Sequence, residues 1–259
     1  MAFFWTHCCL ALWLCMSGSA WAAHAYAQFG DIRYPAGFSH FAYVNPAAPK
    51  GGEVMLVPPT RQSNFDKYNP FTLKGSAPPS MLGMLFDTLL VGNMDEPTTA
   101  YGLLASDVAV ASDRMSVTFQ IHPQARFHNG DPVLASDVRH SFERLTSKQA
   151  APQYRTYFGE VKGATVLGER SIRFDFVRPN SELPLIVGSL PVFSHKWGLT
   201  GEASKAPYKP FDQMVMDMPI ASGPYRMGRV QFGKDITYER DPAYWAKDLN
   251  VRKGLFNFD

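Results

Sequence analysis

Hydrophobic and polar side chains alternate along Ser116–Ile121, where Val117, Phe119 and Ile121 take every second position. This two-residue period predicts a β-strand with one buried face. The chain then reaches Asn129-Gly130-Asp131-Pro132. Asn-Gly supplies the positive φ angles of a tight turn, and a proline disfavours helix in the residue before it, so we expect a chain reversal here.

A helical period follows this turn. Three apolar residues fall on one helical face and predict a helix that lies on the strand: Val138, Phe142 and Leu145. We expect Ser136 to be the N-cap, because its hydroxyl can accept a hydrogen bond from an amide of the first turn. Asp137 near the start and Arg144 near the end carry the charges that suit the helix macrodipole.

Strand and helix patterns alternate along the rest of the chain. Strands are predicted at Glu53–Val57 and Ser171–Val177, and a hairpin is predicted around Phe232–Asp235. A helix is predicted at Ser80–Leu90, with one buried face: Leu82, Leu85, Phe86 and Leu89. These elements indicate a mixed α/β fold.

The N-terminal segment has the pattern of a secretory signal peptide. Cys8–Met16 is apolar but too short to span a bilayer, and small-residue cleavage sites end at Ala22 and Ala27. We therefore assign residues 1–27 to a signal peptide, with a buried helix as the alternative. The segment departs from the usual pattern because no Lys or Arg precedes the apolar run.

The amino-acid composition indicates the cellular compartment of the protein and argues against one class of binding partner. All three cysteines lie before residue 16, so the processed chain would have no disulfide and no thiol chemistry. A cysteine-free exported protein of this size favours a Gram-negative periplasm. The formal net charge of +2 gives no electrostatic reason to expect a nucleic-acid partner.

Motifs for catalysis, metals and cofactors are weak in this sequence. Gly228–Lys234 has the spacing of a phosphate-binding loop, but Asp235 stands where Ser or Thr would reach Mg²⁺, and a strand is expected to follow. The histidines outside the leader show no pair at metal-ligand spacing. We therefore predict no enzyme activity, no metal and no cofactor, although a triad assembled in space stays open.

Three stretches resemble one protein family. The run RFHNGDPVLASDVRHSFERL, preceded by SDRMSVTFQIHPQA, resembles the signature of the family-5 extracellular solute-binding proteins, the peptide-binding components of bacterial ABC importers. PIASGPYRMGRVQFGKDITYERDPAYWAKDLN resembles the Gly-Pro-Tyr hairpin and the Tyr-Trp motif of that family. YPAGFSHFAYVNPAAPKGGEV resembles the opening of its YejA-type subgroup.

The resemblance implies a two-lobed, type II-like periplasmic binding protein that closes on its ligand like a hinge. The first lobe would comprise a base domain, residues 28–86 and 186–259, with an inserted α+β domain at 87–185. Family members run much longer than this chain, so the resemblance implies a fragment whose second lobe is absent. We therefore expect weak or no ligand binding by this chain alone, and an exposed apolar face.

The resemblance also implies ligand-binding residues in two loops of the first lobe. After Asn69-Pro70, where relatives carry Asp-Pro, the matching cleft positions are Lys74, Gly75 and Ser76. Backbone groups at Gly75 and Ser76 could pair with the main chain of a peptide. The cleft tyrosine that follows the signature helix matches Tyr154 or Tyr157, although an aromatic residue here could equally fill the core.

The partners implied by the family are an oligopeptide ligand and the membrane subunits of an ABC importer. After leader cleavage we expect a monomer in the periplasm with no membrane span. Two alternatives stay open: an exported hydrolase with an unassigned active site, and a family member that binds nickel, haem or a sugar.

Overall fold

The computed structural model of the protein describes residues 23–57, 65–201 and 207–259. Residues 1–22 of the predicted signal peptide lie outside the described residues, and so does the stretch 58–64. Within the described ranges, none of the helices combines the length and the apolar character that crossing a bilayer requires.

The described helices and strands are short, and the helices lie between strands in the order of the chain. The α-helices are α1 (Met81–Leu85), α2 (Ala135–Thr146), α3 (Pro152–Tyr157) and α4 (Leu183–Gly188). The strands are β1 (Ala25–Ala27), β2 (Leu90–Gly92), β3 (Thr99–Gly102), β4 (Ala105–Val110), β5 (Ser116–Ile121), β6 (Val161–Gly168), β7 (Ser171–Phe176), β8 (Tyr225–Gln231) and β9 (Asp235–Arg240). This confirms the mixed α/β fold that the sequence predicts.

The strands form three antiparallel sheets. β1, β3 and β2 form a sheet with β3 in the centre, and β8 pairs with β9 as a hairpin. The four-stranded sheet has the order β4-β5-β7-β6, so β5 and β7 occupy its centre. One face of these central strands packs against the core. Apolar and polar side chains accordingly alternate along β5 and β7, with the apolar ones on the buried face.

The alternating pattern that opens the sequence analysis is confirmed in β5. Val117, Phe119 and Ile121 are completely buried, in the same apolar cluster as Phe142 of α2. Phe142 of α2 lies edge-on to Phe174 of β7, with 5.5 Å between ring centroids. The signature stretch therefore folds as a strand and a helix that share one apolar core.

Three local predictions are wrong. The helix expected at Ser80–Leu90 ends at Leu85, because the chain turns into β2, and Leu82 is exposed rather than buried. Ser136 is not the N-cap, because α2 begins at Ala135 and Leu134 takes the N-cap position, two residues earlier. Residues 53–57 are extended but pair with no strand among the described residues, and their side chains are exposed.

The predicted hairpin is confirmed, with β8 and β9 on either side of Phe232–Lys234. The glycine- and lysine-containing run Gly228–Lys234 thus lies in a strand and its turn. Because no helix N-terminus follows, the run lacks the dipole that a phosphate-binding loop uses.

Two apolar clusters hold the described residues together. The larger one extends from the four-stranded sheet through Phe71 and α1 to Trp197 and Phe211. The smaller one surrounds Tyr101 of β3 with Tyr34, Phe41, Tyr244 and Val251, and so joins both chain ends to the small sheet. The four-stranded sheet, α2 and α3 fall within the range 87–185 proposed as an inserted domain, and that division stays a prediction.

Candidate ligand-binding surface

Residues 65–76 form a closed loop that carries four of the six predicted ligand-binding residues. Asp66 closes the loop through two hydrogen bonds, because its amide donates to Ser76 O at 3.0 Å and its Oδ1 accepts from Ser76 N at 2.7 Å. Gly75 has a φ of 74°, and a Cβ there would lie 2.5 Å from Asp66 Oδ1. The loop geometry therefore requires glycine at position 75.

Asn69 lies inside this loop and is completely buried. Its Nδ2 donates to Phe211 O at 2.9 Å, and its Oδ1 accepts from Phe71 N at 3.0 Å. Both ends of the amide are thus hydrogen-bonded within the protein. In this arrangement Asn69 fixes the loop to the 3₁₀ turn Phe211–Gln213.

A buried lysine supports the same loop, and the sequence analysis missed it. Lys67 Nζ donates to Thr72 O at 2.5 Å and to Thr72 Oγ1 at 3.1 Å. Burial lowers the pKa of Lys67, and the neighbouring Asp66 partly opposes this shift. Lys67 is thus turned into the loop, whereas Lys74 is exposed on its surface.

Tyr154 and Tyr157 of α3 have different surroundings. Tyr154 is partly buried beside Phe71, with 5.7 Å between ring centroids, and burial raises its pKa. The amide of Ala151 also donates to Phe71 O at 2.8 Å, so the start of α3 is fixed to the loop. Tyr157 is 49% exposed, and its hydroxyl lies 3.1 Å from Ser189 Oγ beyond α4.

An aromatic side chain at the hairpin tip extends this surface. Phe232 is 46% exposed and lies 5.7 Å from the rings of both Phe65 and Tyr68. The amide of Tyr68 donates to Val215 O at 2.7 Å, and Val215 is also exposed. We call residues 65–76, Val215 and Phe232 the loop surface. It combines flat apolar area with backbone groups near Gly75 and the cation of Lys74.

Two shallow concavities lie elsewhere and contain none of the six predicted residues. One, of about 500 Å³, lies on the outer face of the four-stranded sheet around Lys162, Arg173 and Asp175. The other, of about 430 Å³, lies around Arg114 and Arg178. In both, arginines are paired with carboxylates, Arg173 with Asp175 and Arg178 with Glu160.

A metal-binding cluster is not found in the part of the chain that the structure describes. No group of three or more His, Cys, Asp or Glu side chains could hold a metal ion there. His128 Nε2 lies 2.8 Å from Gly223 O and joins the turn before α2 to the start of the hairpin, and burial lowers its pKa. This histidine has a structural contact rather than a nucleophile beside it.

The fold is that of solute-binding proteins. The oligopeptide-binding protein AppA from Bacillus subtilis, solved with a nonapeptide, superposes with a TM-score of 0.58 at 18% identity, over 76% of this chain and 38% of AppA. NikA from Brucella suis, solved with Fe(III)-EDTA, gives 0.57 at 18% identity, over 70% of this chain and 35% of NikA. At this identity the likeness establishes the fold alone.

Sequence comparison identifies the family. Residues 99–258 match the bacterial extracellular solute-binding proteins, family 5 (middle). The chain belongs to this family, which confirms the resemblance of its signature stretch.

Two relatives from Agrobacterium fabrum match most of the chain. The "Probable peptide-binding protein YejA" is 39% identical over 231 residues, which are 88% of this chain and 36% of the relative. The "Peptidoglycan-binding protein YepA" is 33% identical over 244 residues, which are 91% of this chain and 38% of the relative. The chain thus spans little more than a third of the length of these relatives.

Proposed function

We propose that the protein is a periplasmic solute-binding component that delivers oligopeptides to the membrane subunits of an ABC importer and performs no chemistry itself. The observation that carries this proposal is the 39% identity, over 88% of the chain, to a relative named as peptide-binding. A binding role also agrees with the solute-binding family to which the chain belongs, and an exported hydrolase stays the alternative.

Peptide chemistry also fits the loop surface. The backbone groups of Gly75 lie in an exposed loop, and a peptide main chain pairs with such groups regardless of its side chains, whereas the N–H and C=O of Ser76 are already hydrogen-bonded to Asp66. Aromatic surface at Phe232 and Tyr68 gives apolar contact for side chains of varied size. Among the predicted residues, Lys74, Gly75, Ser76 and Tyr157 would face the ligand, whereas Asn69 and Tyr154 would hold the loop.

Uptake by whole cells tests the proposal. Host cells lacking the gene should accumulate less of a labelled peptide series, from tripeptide to nonapeptide, and a plasmid copy of the complete host gene, as opposed to the 259 residues alone, should restore uptake. Uptake of the labelled free amino acid should not change. Unaltered uptake across the whole series would contradict peptide transport. Hydrolysis of the labelled peptides outside the cell, abolished by one Ser or His substitution, would favour the hydrolase.

A peptidoglycan fragment is a second candidate cargo, because one relative is named as peptidoglycan-binding. A labelled muramyl tripeptide added to the same uptake assay separates the two classes. Stronger dependence on the gene for the muramyl tripeptide than for the unmodified tripeptide would favour cell-wall fragments. Mass spectrometry of small molecules extracted from protein purified from its host would detect peptides, sugars, haem or nickel independently.

The side chains proposed to face the ligand can be tested with a matched pair of lysines. Lys74 and Lys148 are both exposed, so truncating either should leave folding unchanged. Lys74→Ala should reduce peptide uptake, whereas Lys148→Ala, which lies at the end of α2, should not. Equal uptake in the two variants would remove Lys74 from the site.

A further inference from the structure

The first described residues are part of the fold. Ala23 exchanges two backbone hydrogen bonds with Val108 of β4, at 3.0 and 2.8 Å. His24 O accepts from Gly102 N at 2.8 Å. β1 then pairs with β3 in the register Ala25 to Tyr101 and Ala27 to Thr99. Residues 23–27 therefore connect the three-stranded sheet to the four-stranded sheet.

Side chains fix the same segment. Ala25 is 2% exposed within the smaller apolar cluster. His24 Nε2 lies 2.8 Å from Tyr34 O, and Tyr26 donates its hydroxyl hydrogen to Ser181 O at 2.7 Å. The partner strand is shaped for close approach, because a Cβ at Gly102 would lie 2.4 Å from Ala105 O and 3.3 Å from His24 O.

This packing distinguishes between the two possible cleavage sites of the leader. The sequence offers Ala20-Trp21-Ala22 and Ala25-Tyr26-Ala27, both with the small residues that signal peptidase requires. Cleavage after Ala27 would remove β1, expose Tyr101, and leave the backbone groups of Gly102 and Val108 without their partners. Cleavage after Ala22 would keep every contact of residues 23–27.

We propose that the leader is removed between Ala22 and Ala23, so that the processed protein begins with the residue that pairs with Val108. This inference rests on the export that is part of the proposed function. Hydrolysis adds one water across the peptide bond, leaving a carboxylate on Ala22 and an ammonium group on Ala23. The new ammonium group can still donate to Val108 O, now as a charge-assisted hydrogen bond.

The N-terminus of the exported protein tests this assignment. The full chain is expressed in a Gram-negative host, pulse-labelled and fractionated, and the product is analysed by N-terminal sequencing and intact mass. A periplasmic product that begins at Ala23 supports the inference. A periplasmic product that begins at Gln28 overturns it and leaves export intact. An uncleaved chain that stays in the cytoplasm overturns export as well.

A pair of variants makes the assignment specific. Ala22→Phe places a bulky residue at the proposed site and should stop processing, whereas the matched control Ala27→Phe should be processed like the wild type. Processing precedes folding, so the pulse-labelled product reports cleavage even where a variant folds poorly. Normal processing of Ala22→Phe, or a block in Ala27→Phe, would overturn the proposal.

Discussion

Asp87, just after α1, is completely buried and gathers three donors from the C-terminal part of the chain. Its Oδ1 accepts from Tyr244 Oη at 2.9 Å and from Arg252 Nη2 at 3.2 Å, and its Oδ2 accepts from Trp245 Nε1 at 2.9 Å. Burial raises the pKa of Asp87, while Arg252 and the two aromatic donors oppose the rise. This carboxylate therefore fixes the Tyr-Trp motif onto the first strands.

Removing the charge of Asp87 should be costly. In Asp87→Asn the largely buried Arg252 loses its counter-charge, and breaking such a pair lowers the free energy of unfolding by about 3–5 kcal/mol. Urea unfolding measures the change. The control is Glu143→Gln, whose partner Arg139 lies 3.7 Å away in an exposed pair, and which should change stability by about 0.5 kcal/mol or less. A similar loss in both variants would contradict the role of Asp87.

His140 on α2 gives the protein a pH dependence. Its Nε2 is buried without a hydrogen-bond partner among the described residues, and its ring lies 5.1 Å from that of Tyr208. Burial, with smaller contributions from Arg144 and His195, lowers the pKa of His140 from 6.5 to about 3. The folded state therefore resists protonation at this residue.

The sign of the pH effect follows from this shift. The stabilising contribution is complete above the unfolded pKa of 6.5, and it is lost as pH falls towards the folded value of about 3. His140→Phe keeps the ring contacts and removes the titrating group. Its urea midpoint should fall less steeply than that of the wild type between those two pH values. Parallel curves would exclude His140 as a source of acid sensitivity.

At the scale of an element, the start of α2 depends on a residue that comes after the predicted cap. Asp137 Oδ2 accepts from Leu134 N at 2.9 Å, which satisfies the amide before the helix. Its Oδ1 accepts from His195 N at 2.8 Å and lies 2.7 Å from His195 Nδ1. The carboxylate thus joins α2 to the segment after α4, which the hydroxyl of Ser136 does not.

Asp137 and Ser136 form a matched pair for mutation. Asp137→Ala should lower the free energy of unfolding by about 2–4 kcal/mol, because the helix loses its capping interaction and His195 N loses its acceptor. Ser136→Ala should change it by about 0.5 kcal/mol or less. Chemical denaturation of both variants compares the two residues directly. A larger loss for Ser136→Ala would restore the sequence-based assignment of the cap.

At the scale of the whole molecule, the chain exposes an extended apolar segment. Gly51 N donates to Asn257 O at 2.7 Å, and Asp259 N donates to Gly52 O at 2.9 Å, so the two segments advance in the same direction. The next residues are apolar and exposed: Val54 at 50%, Met55 at 84%, Leu56 at 68% and Val57 at 84%. Such a segment is typical of a surface that another strand or layer covers.

This exposure bears on ligand binding by the 259-residue chain. Among the described residues, the loop surface would cover only one side of a ligand. Ligand-binding sites normally bury most of the surface of the bound molecule. Titration with tripeptide to nonapeptide should therefore produce no saturable rise in the melting temperature. A strong, saturable rise in the melting temperature would show that the loop surface alone is sufficient to bind a peptide.

Residues whose role depends on near neighbours in sequence were predictable. The alternation in β5 and the hairpin around Phe232 follow from local pattern. Asp87, Lys67 and Phe232 as a packing residue were missed. Asp87 meets Tyr244 across 157 positions of sequence, and an acidic residue after an apolar run carries no local sign of such a partner.

The sequence by itself determined the family, the mixed α/β class and the strands with one buried face, because period and motif are properties of short stretches. Only the tertiary structure decided that Asn69 is buried, that the carboxylate of Asp137 rather than the hydroxyl of Ser136 caps α2, and that Ala25–Ala27 forms β1. Each of these depends on donors, acceptors or packing space that distant segments supply, and no local pattern encodes them.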